Sequence, residues 1–179
     1  MGGVIGRIAI VGIVMSALIA GVALYYLQIY AYYVEVTAEE AGNVQLVSLY
    51  SDEPEPILFE NFKAINSGSS PVRYRACFET PLSQAMLTET YFTYPDAEPL
   101  VAPGWFDCFD ANTLGEALET GEAIAFLGVE NITYGIDRVV AVYDDGRAFA
   151  WHQINHCGEV VFDGNPAPEG CLPAPERLQ

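Results

Sequence analysis

Apolar positions along this chain fall into two regimes. From Ile8 to Val34 no residue is charged, a run of twenty-seven, more than the ~20 a helix needs to cross the hydrocarbon core of a bilayer. Its first part, Ile8 to Leu24, is almost entirely aliphatic. Its second part carries Tyr25, Tyr26, Tyr30, Tyr32 and Tyr33, and tyrosine favours the boundary between lipid and water. The pattern predicts a transmembrane helix over 8–30 that ends in an aromatic interface belt, with residues 1–7 as its flank. A cleaved signal peptide is the competing reading, since Gly21-Val22-Ala23 offers small residues at a cleavage point. A signal core spans about 7–15 residues, and this run continues well past Ala23, which favours the anchor. Gly6, Gly12, Ser16, Ala20 and Gly21 are small residues that permit close helix packing.

Beyond Glu35 the apolar runs shorten. Residues 31–43 predict a polar linker, 44–172 a single domain and 173–179 a frayed tail. Val44 to Tyr50, Ile57 to Ile65 and Val72 to Phe78 predict strands, separated by Asp52-Glu53-Pro54-Glu55-Pro56 and by Asn66-Ser67-Gly68-Ser69-Ser70-Pro71, both read as turns. A two-residue period places Arg73 and Arg75 on one strand face. Pro81 to Thr90 has helical spacing at Leu82, Ala85, Met86 and Glu89. Thr113-Leu114-Gly115-Glu116 predicts a helix capped by Thr113, buried through Leu114, Ala117 and Leu118, and stopped at Gly121. Ala123 to Leu127 predicts a short strand. The strongest signal is a hairpin, Asp137 to Tyr143 and Arg147 to Asn155, around Asp144-Asp145-Gly146. The expected fold class is α+β: one N-terminal transmembrane helix, then a small, mainly antiparallel sheet with two short helices.

Charge changes the picture in two ways. Arg7 flanks the apolar run on one side and Glu35, Glu39 and Glu40 on the other, which predicts a cytoplasmic N-terminus and a domain outside, periplasmic in a bacterium. The remaining six basic residues face all 24 acids beyond the helix, a formal charge of −18. That excludes nucleic acid as a partner and suits either solubility or recruitment of a basic protein such as a c-type cytochrome. On the oxidising side the four cysteines predict disulfides, with Cys157–Cys171 around the turn residues Asp163-Gly164-Asn165-Pro166 and Cys77–Cys108 as the other pair.

The one tempting constellation is His152, His156 and Cys157. On a strand the two histidines would stand about 13 Å apart, too far for one ion. No phosphate loop, dinucleotide fingerprint or nucleophile elbow appears, so no catalytic, cofactor or metal residue is assigned and no enzyme is expected. The aromatic segments Tyr91 to Tyr94 and Trp105 to Phe109 are the places where a pocket would form.

At Asn66 to Phe78 (NSGSSPVRYRACF) and Gly135 to Gly164 (GIDRVVAVYDDGRAFAWHQINHCGEVVFDG) the chain resembles an uncharacterised alphaproteobacterial family of single-pass proteins whose anchor also ends in a Tyr-rich segment. Some members carry the label histidine kinase, but this sequence lacks the dimerisation helices and nucleotide-binding glycine boxes such an enzyme needs. The resemblance implies a bacterial inner membrane and a periplasmic domain, and adds no catalytic residue. The expected role is a non-catalytic accessory or assembly subunit of a larger inner-membrane complex, respiratory by preference, contacting cytochrome c. The alternatives are a stand-alone ligand- or envelope-binding module, and a metal or thiol-redox protein using His152, His156 and Cys157.

Overall fold

The computed structural model describes residues 2–176 and divides at Val34/Glu35 into two units. The first is a helix, α1 (Gly2–Tyr26), continued by a π-helical turn, Leu27–Ala31. Gly3–Ala31 is long and apolar enough to cross a membrane, which fits a membrane anchor or a signal sequence. The helix starts before the expected Ile8 because one arginine at position 7 does not interrupt helical hydrogen bonding. Of the belt tyrosines, Tyr25 and Tyr26 lie in α1 and Tyr30 in the π turn, its ring 6.4 Å from Tyr25 and 5.9 Å from Tyr26. Tyr32 and Tyr33 follow.

The second unit is α+β. Its strands are β1 (Val34–Val36), β2 (Gln45–Val47), β3 (Pro54–Pro56), β4 (Glu60–Asn66), β5 (Arg75–Glu79), β6 (Ala123–Thr133), β7 (Ile136–Tyr143) and β8 (Arg147–Ile154). Six form one sheet in the order β1-β4-β5-β8-β7-β6, and β2 pairs with β3; the pairings from β4 to β6 are antiparallel. Bridges from Ser48 to Tyr91 and from Thr93 to Phe126 splice the segment 91–93 between β2 and β6. The small sheet thereby extends the large one. One face of this curved surface holds Leu46, Tyr74, Ala76, Phe78, Phe126, Val140, Val142, Ala148 and Ala150 in a single core, closed by Leu87 of helix α2 (Gln84–Thr90). On the other face Phe109 packs edge-on against Phe149 and Trp151, and helix α3 (Ala111–Thr120) lies against β6.

Several expectations are corrected. The polar linker has regular structure of its own. Val34–Val36 is an edge strand beside β4, and Thr37 and Glu40 cap one turn reciprocally, with Thr37 N and Oγ1 donating to Glu40 Oε2 at 2.8 and 2.9 Å and Glu40 N donating to Thr37 Oγ1 at 3.3 Å. Pro54-Glu55-Pro56 is a strand because, at a sheet edge, a proline's missing N–H leaves no ladder bond unmade. Asp110, not Thr113, caps α3: its Oδ1 accepts from Asn112 N and Thr113 N, adding a turn before Leu114. Ser83 likewise caps α2 in place of the first turn expected at Pro81. Pro71–Arg73 is a 3₁₀ turn, so Arg73 is off the strand that carries Arg75. A third short helix, α4 (His156–Phe162), follows β8 directly, capped by Asn155. The hairpin forms as expected, with Gly146 at φ 89° closing its turn.

Candidate functional site

Three neighbouring strands bring Tyr74, His152 and Arg138 to one end of the core face. Arg138 on β7 pairs with His152 on β8, and Tyr74 precedes β5. The His152 ring stacks on Tyr74 at 4.6 Å, and the Arg138 guanidinium lies 4.4 Å from the same tyrosine's centroid, a cation–π contact in a desolvated setting. Arg138 Nε and Nη2 lie 3.2 and 3.1 Å from His152 Nε2. A guanidinium only donates, so Nε2 is the acceptor. Nδ1 then carries the proton and donates to Pro71 O at 2.7 Å. The imidazole is neutral: burial, then the charge of Arg138, pushes its pKa down to about 4, against the hydrogen bond to Pro71. Burial also lowers the Arg138 pKa and raises that of Tyr74. Arg138 Nη1 donates to Ala41 O at 2.6 Å, fastening the turn that follows β1 to the core.

His156 stands apart from this stack, exposed on the first turn of α4, and Cys157 is bonded to Cys171. Among the described residues no group of three or more His, Cys, Asp or Glu is arranged to hold a metal ion. The other bridge joins Cys77 to Cys108. It pins the irregular stretch between α2 and α3 onto β5, where Arg75 also holds it: Nε donates to Leu100 O at 2.7 Å and Nη2 to Val101 O at 3.2 Å.

That stretch forms one wall of the largest cavity described, about 640 Å³. Trp105, Phe106 and Asp107 face Glu35 of β1 and Phe62 and Lys63 of β4 across it. Trp105 and Phe106 meet edge-on at 6.3 Å. Trp105 is half-buried, whereas Glu35, Lys63 and Asp107 are exposed. Among the described residues, Arg147–Asp145 at 2.7 Å is the ion pair formed, so Lys63 has no carboxylate partner. The segment from Trp105 to Phe109 therefore divides its work. Phe109 is core, and Trp105 and Phe106 line the groove.

A second cavity, of about 590 Å³, lies between Tyr94 and α4 and is rimmed by Asp96, Glu98, Glu130 and Glu159. Its floor is a polar knot. Buried Asp137 accepts from Asn131 N and Asn155 Nδ2, both at 2.8 Å, and from Tyr94 OH at 3.2 Å. Burial, and then the charge of Asp137, drives the Tyr94 pKa upward. Asn131 adopts φ 47° and accepts from Gly135 N at 3.0 Å. Beneath, Gly135 and Gly158 bring the β6–β7 turn and α4 into backbone contact: a Cβ on Gly135 would sit 2.5 Å from Gly158 Cα.

Residues 44–172 match the model of a family of unknown function, DUF6446. The chain belongs to DUF6446. The match covers every strand from β2 onward, helices α2 to α4 and both disulfides. Comparison with curated proteins and with solved structures gives no match. In this DUF6446 member the groove takes Trp105 and Phe106 from an aromatic segment singled out for a pocket, whereas the stack escaped the sequence reading, although strand parity carries a signal for it. Arg138 shares its face with Val140 and Val142, the face that a two-residue period sends to the core.

Proposed function

We propose that this DUF6446 protein is a non-catalytic accessory or assembly subunit of a larger complex in a bacterial inner membrane. In this reading α1 is a retained anchor with its N-terminus in the cytoplasm and the folded domain in the periplasm. Arg7 before the apolar run and three glutamates after it support that orientation, and two disulfides suit an oxidising compartment. His152 and all four cysteines serve structural contacts, in keeping with a role other than catalysis.

One observation carries the docking role: how charge is divided between inside and outside. Arg75 and Arg138 are buried, at 3% and 5% exposure, and Asp137 is the acidic side chain buried with them. Among the described residues burial thus takes two cations and one anion from the exterior, which leaves their surface more acidic than their formal charge. A field of one sign steers an oppositely charged protein and weakens as salt screens it. A respiratory electron-transfer complex is the favoured host and a basic protein such as cytochrome c the favoured contact.

The test is a pull-down of the full chain from its native membrane in mild detergent, with partners identified by mass spectrometry. A stoichiometric set of membrane-complex subunits is expected, with cytochrome c binding that fades between 20 and about 200 mM salt. Recovery of the protein alone would remove the docking role.

A further inference from the structure

The groove between Trp105 and β4 gathers aromatic, acidic and basic side chains along one cavity. It offers three aromatic rings, from Phe62, Trp105 and Phe106, two carboxylates, from Glu35 and Asp107, and one ammonium, from Lys63. Its volume of about 640 Å³ falls within the range of small-molecule sites, roughly 300–1,000 Å³. Aromatic faces attract cations, quaternary ammonium groups above all, and two carboxylates strengthen that preference. An anion alone would meet the repulsion of a domain of charge −18. A cation alone would meet Lys63, which no carboxylate neutralises among the described residues. A ligand with an ammonium at one end and a phosphate at the other satisfies both halves, since lysine binds phosphate as a point charge.

We propose that this groove binds a zwitterionic amino-phosphate group, the ammonium held among the Trp105, Phe106 and Phe62 rings by Glu35 and Asp107 and the phosphate by Lys63, and that the group is the head of a phospholipid. The lipid source follows from the chain itself. Glu35 is the fourth residue after Ala31, where the apolar helical segment ends, so one wall of the groove belongs to the stretch that leaves the membrane-crossing helix. The inference stands whether or not a protein partner docks elsewhere.

The test uses the full chain in an uncharged detergent, read by tryptophan emission. Trp151 is fully buried and Trp105 half-exposed, so a ligand in the groove perturbs Trp105. Glycerophosphocholine is expected to give a saturable change and glycerophosphoglycerol none. The paired variant E35Q/D107N is expected to weaken the response at least tenfold, and K63A to weaken it severalfold. Absence of a saturable change with glycerophosphocholine, an equal response to glycerophosphoglycerol, or an unchanged response in E35Q/D107N would overturn the site. An unchanged response in K63A would overturn the phosphate contact. Circular dichroism checks that the variants fold, and their exposed positions make that the expected result. Nanodiscs then test the source. In phosphatidylcholine discs the bilayer fills the groove, and added glycerophosphocholine should change nothing, whereas in phosphatidylglycerol discs it should still titrate. Equal titration in both would overturn the lipid source.

Discussion

Acidification tests the buried stack directly, because His152 enters it neutral. Its pKa falls from 6.5 to about 4 on folding. As pH drops below 6.5 the unfolded chain takes up this proton and the folded one does not, so stability is lost. The loss runs between pH 6.5 and 4 and levels off below, where both states are protonated. At 1.36 kcal/mol per unit the full effect is about 3 kcal/mol. At pH 5 linkage gives about 2 kcal/mol. The causes, in order, are burial and the Arg138 charge at 3.1–3.2 Å from Nε2, with a smaller contribution from Arg75 and opposition from the Pro71 hydrogen bond.

The domain's many carboxylates also titrate on the way down, so the measurement has to be differential. Urea unfolding of the wild type and of His152→Gln, followed through Trp151 emission, gives two curves of stability against pH. Glutamine removes the stacking ring and lowers stability at every pH, but it cannot titrate. The wild type is expected to lose about 2 kcal/mol more than the variant between pH 7 and 5. Parallel curves would refute the neutral, guanidinium-bonded imidazole. So would a His152 pKa near 6.5 measured by NMR.

Backbone packing makes a second test. Gly158→Ala places a methyl group onto the Gly135 carbonyl oxygen, 2.9 Å from its carbonyl carbon, and is expected to cost about 3 kcal/mol, lowering Tm by roughly 6–12 °C. Gly115→Ala, in α3 with nothing near its added Cβ, is expected to raise stability by about 0.5–1 kcal/mol, and calorimetry of the pair separates steric conflict from loss of glycine as such. The two disulfides close loops of 31 and 14 residues. On the chain-entropy account they stabilise by about 3.7 and 3.0 kcal/mol, so urea unfolding should find C77A/C108A the weaker double variant, and the reverse order would show that native-state packing outweighs loop closure.

What the sequence made legible was whatever local chemistry decides. The β7–β8 hairpin needs only alternation and a glycine at its turn, and both are written in residues 136–154. The apolar run to Val34 needs only length. What it hid was decided across the fold. Helix α4 has two β-branched valines and a glycine in seven residues, a poor intrinsic helix. It is held by Asn155 Oδ1 accepting from Gly158 N, by the Cys157 bridge and by the close approach to Gly135. Thr113 and Asp110 are both good caps by type. Asp110 prevails because the extra turn, Ala111–Thr113, still leaves Leu114 and Ala117 facing the core. The stack was hidden because an arginine on a strand reads as its polar face. Period two places Arg138 inward, and His152 on β8, Tyr74 before β5 and the Ala41 carbonyl make that position tolerable.

Both buried arginines serve one purpose, tying irregular chain to regular sheet. Arg138 holds the turn at Ala41. Arg75 takes four carbonyl oxygens, of Val72, Tyr74, Leu100 and Val101, at 2.6–3.2 Å. A guanidinium suits this work because its donors spread in a rigid plane, whereas lysine presents three donors at one point. Arg75→Lys therefore keeps the charge but cannot reach both Leu100 and Val101 while bonding Val72 and Tyr74. With two hydrogen bonds to a charged group lost, at about 1.5–3 kcal/mol each, the stretch from Asp96 to Gly104 should open locally. Cys77–Cys108 still fixes its far end, so global unfolding should shift less than local opening does. Hydrogen exchange is expected to quicken at Leu100 to Gly104 at least tenfold while β7 and β8 keep their protection. Unchanged exchange in that stretch would mean that the disulfide and Phe109 suffice to hold it, and that Arg75 is buried for some reason other than the carbonyls it binds.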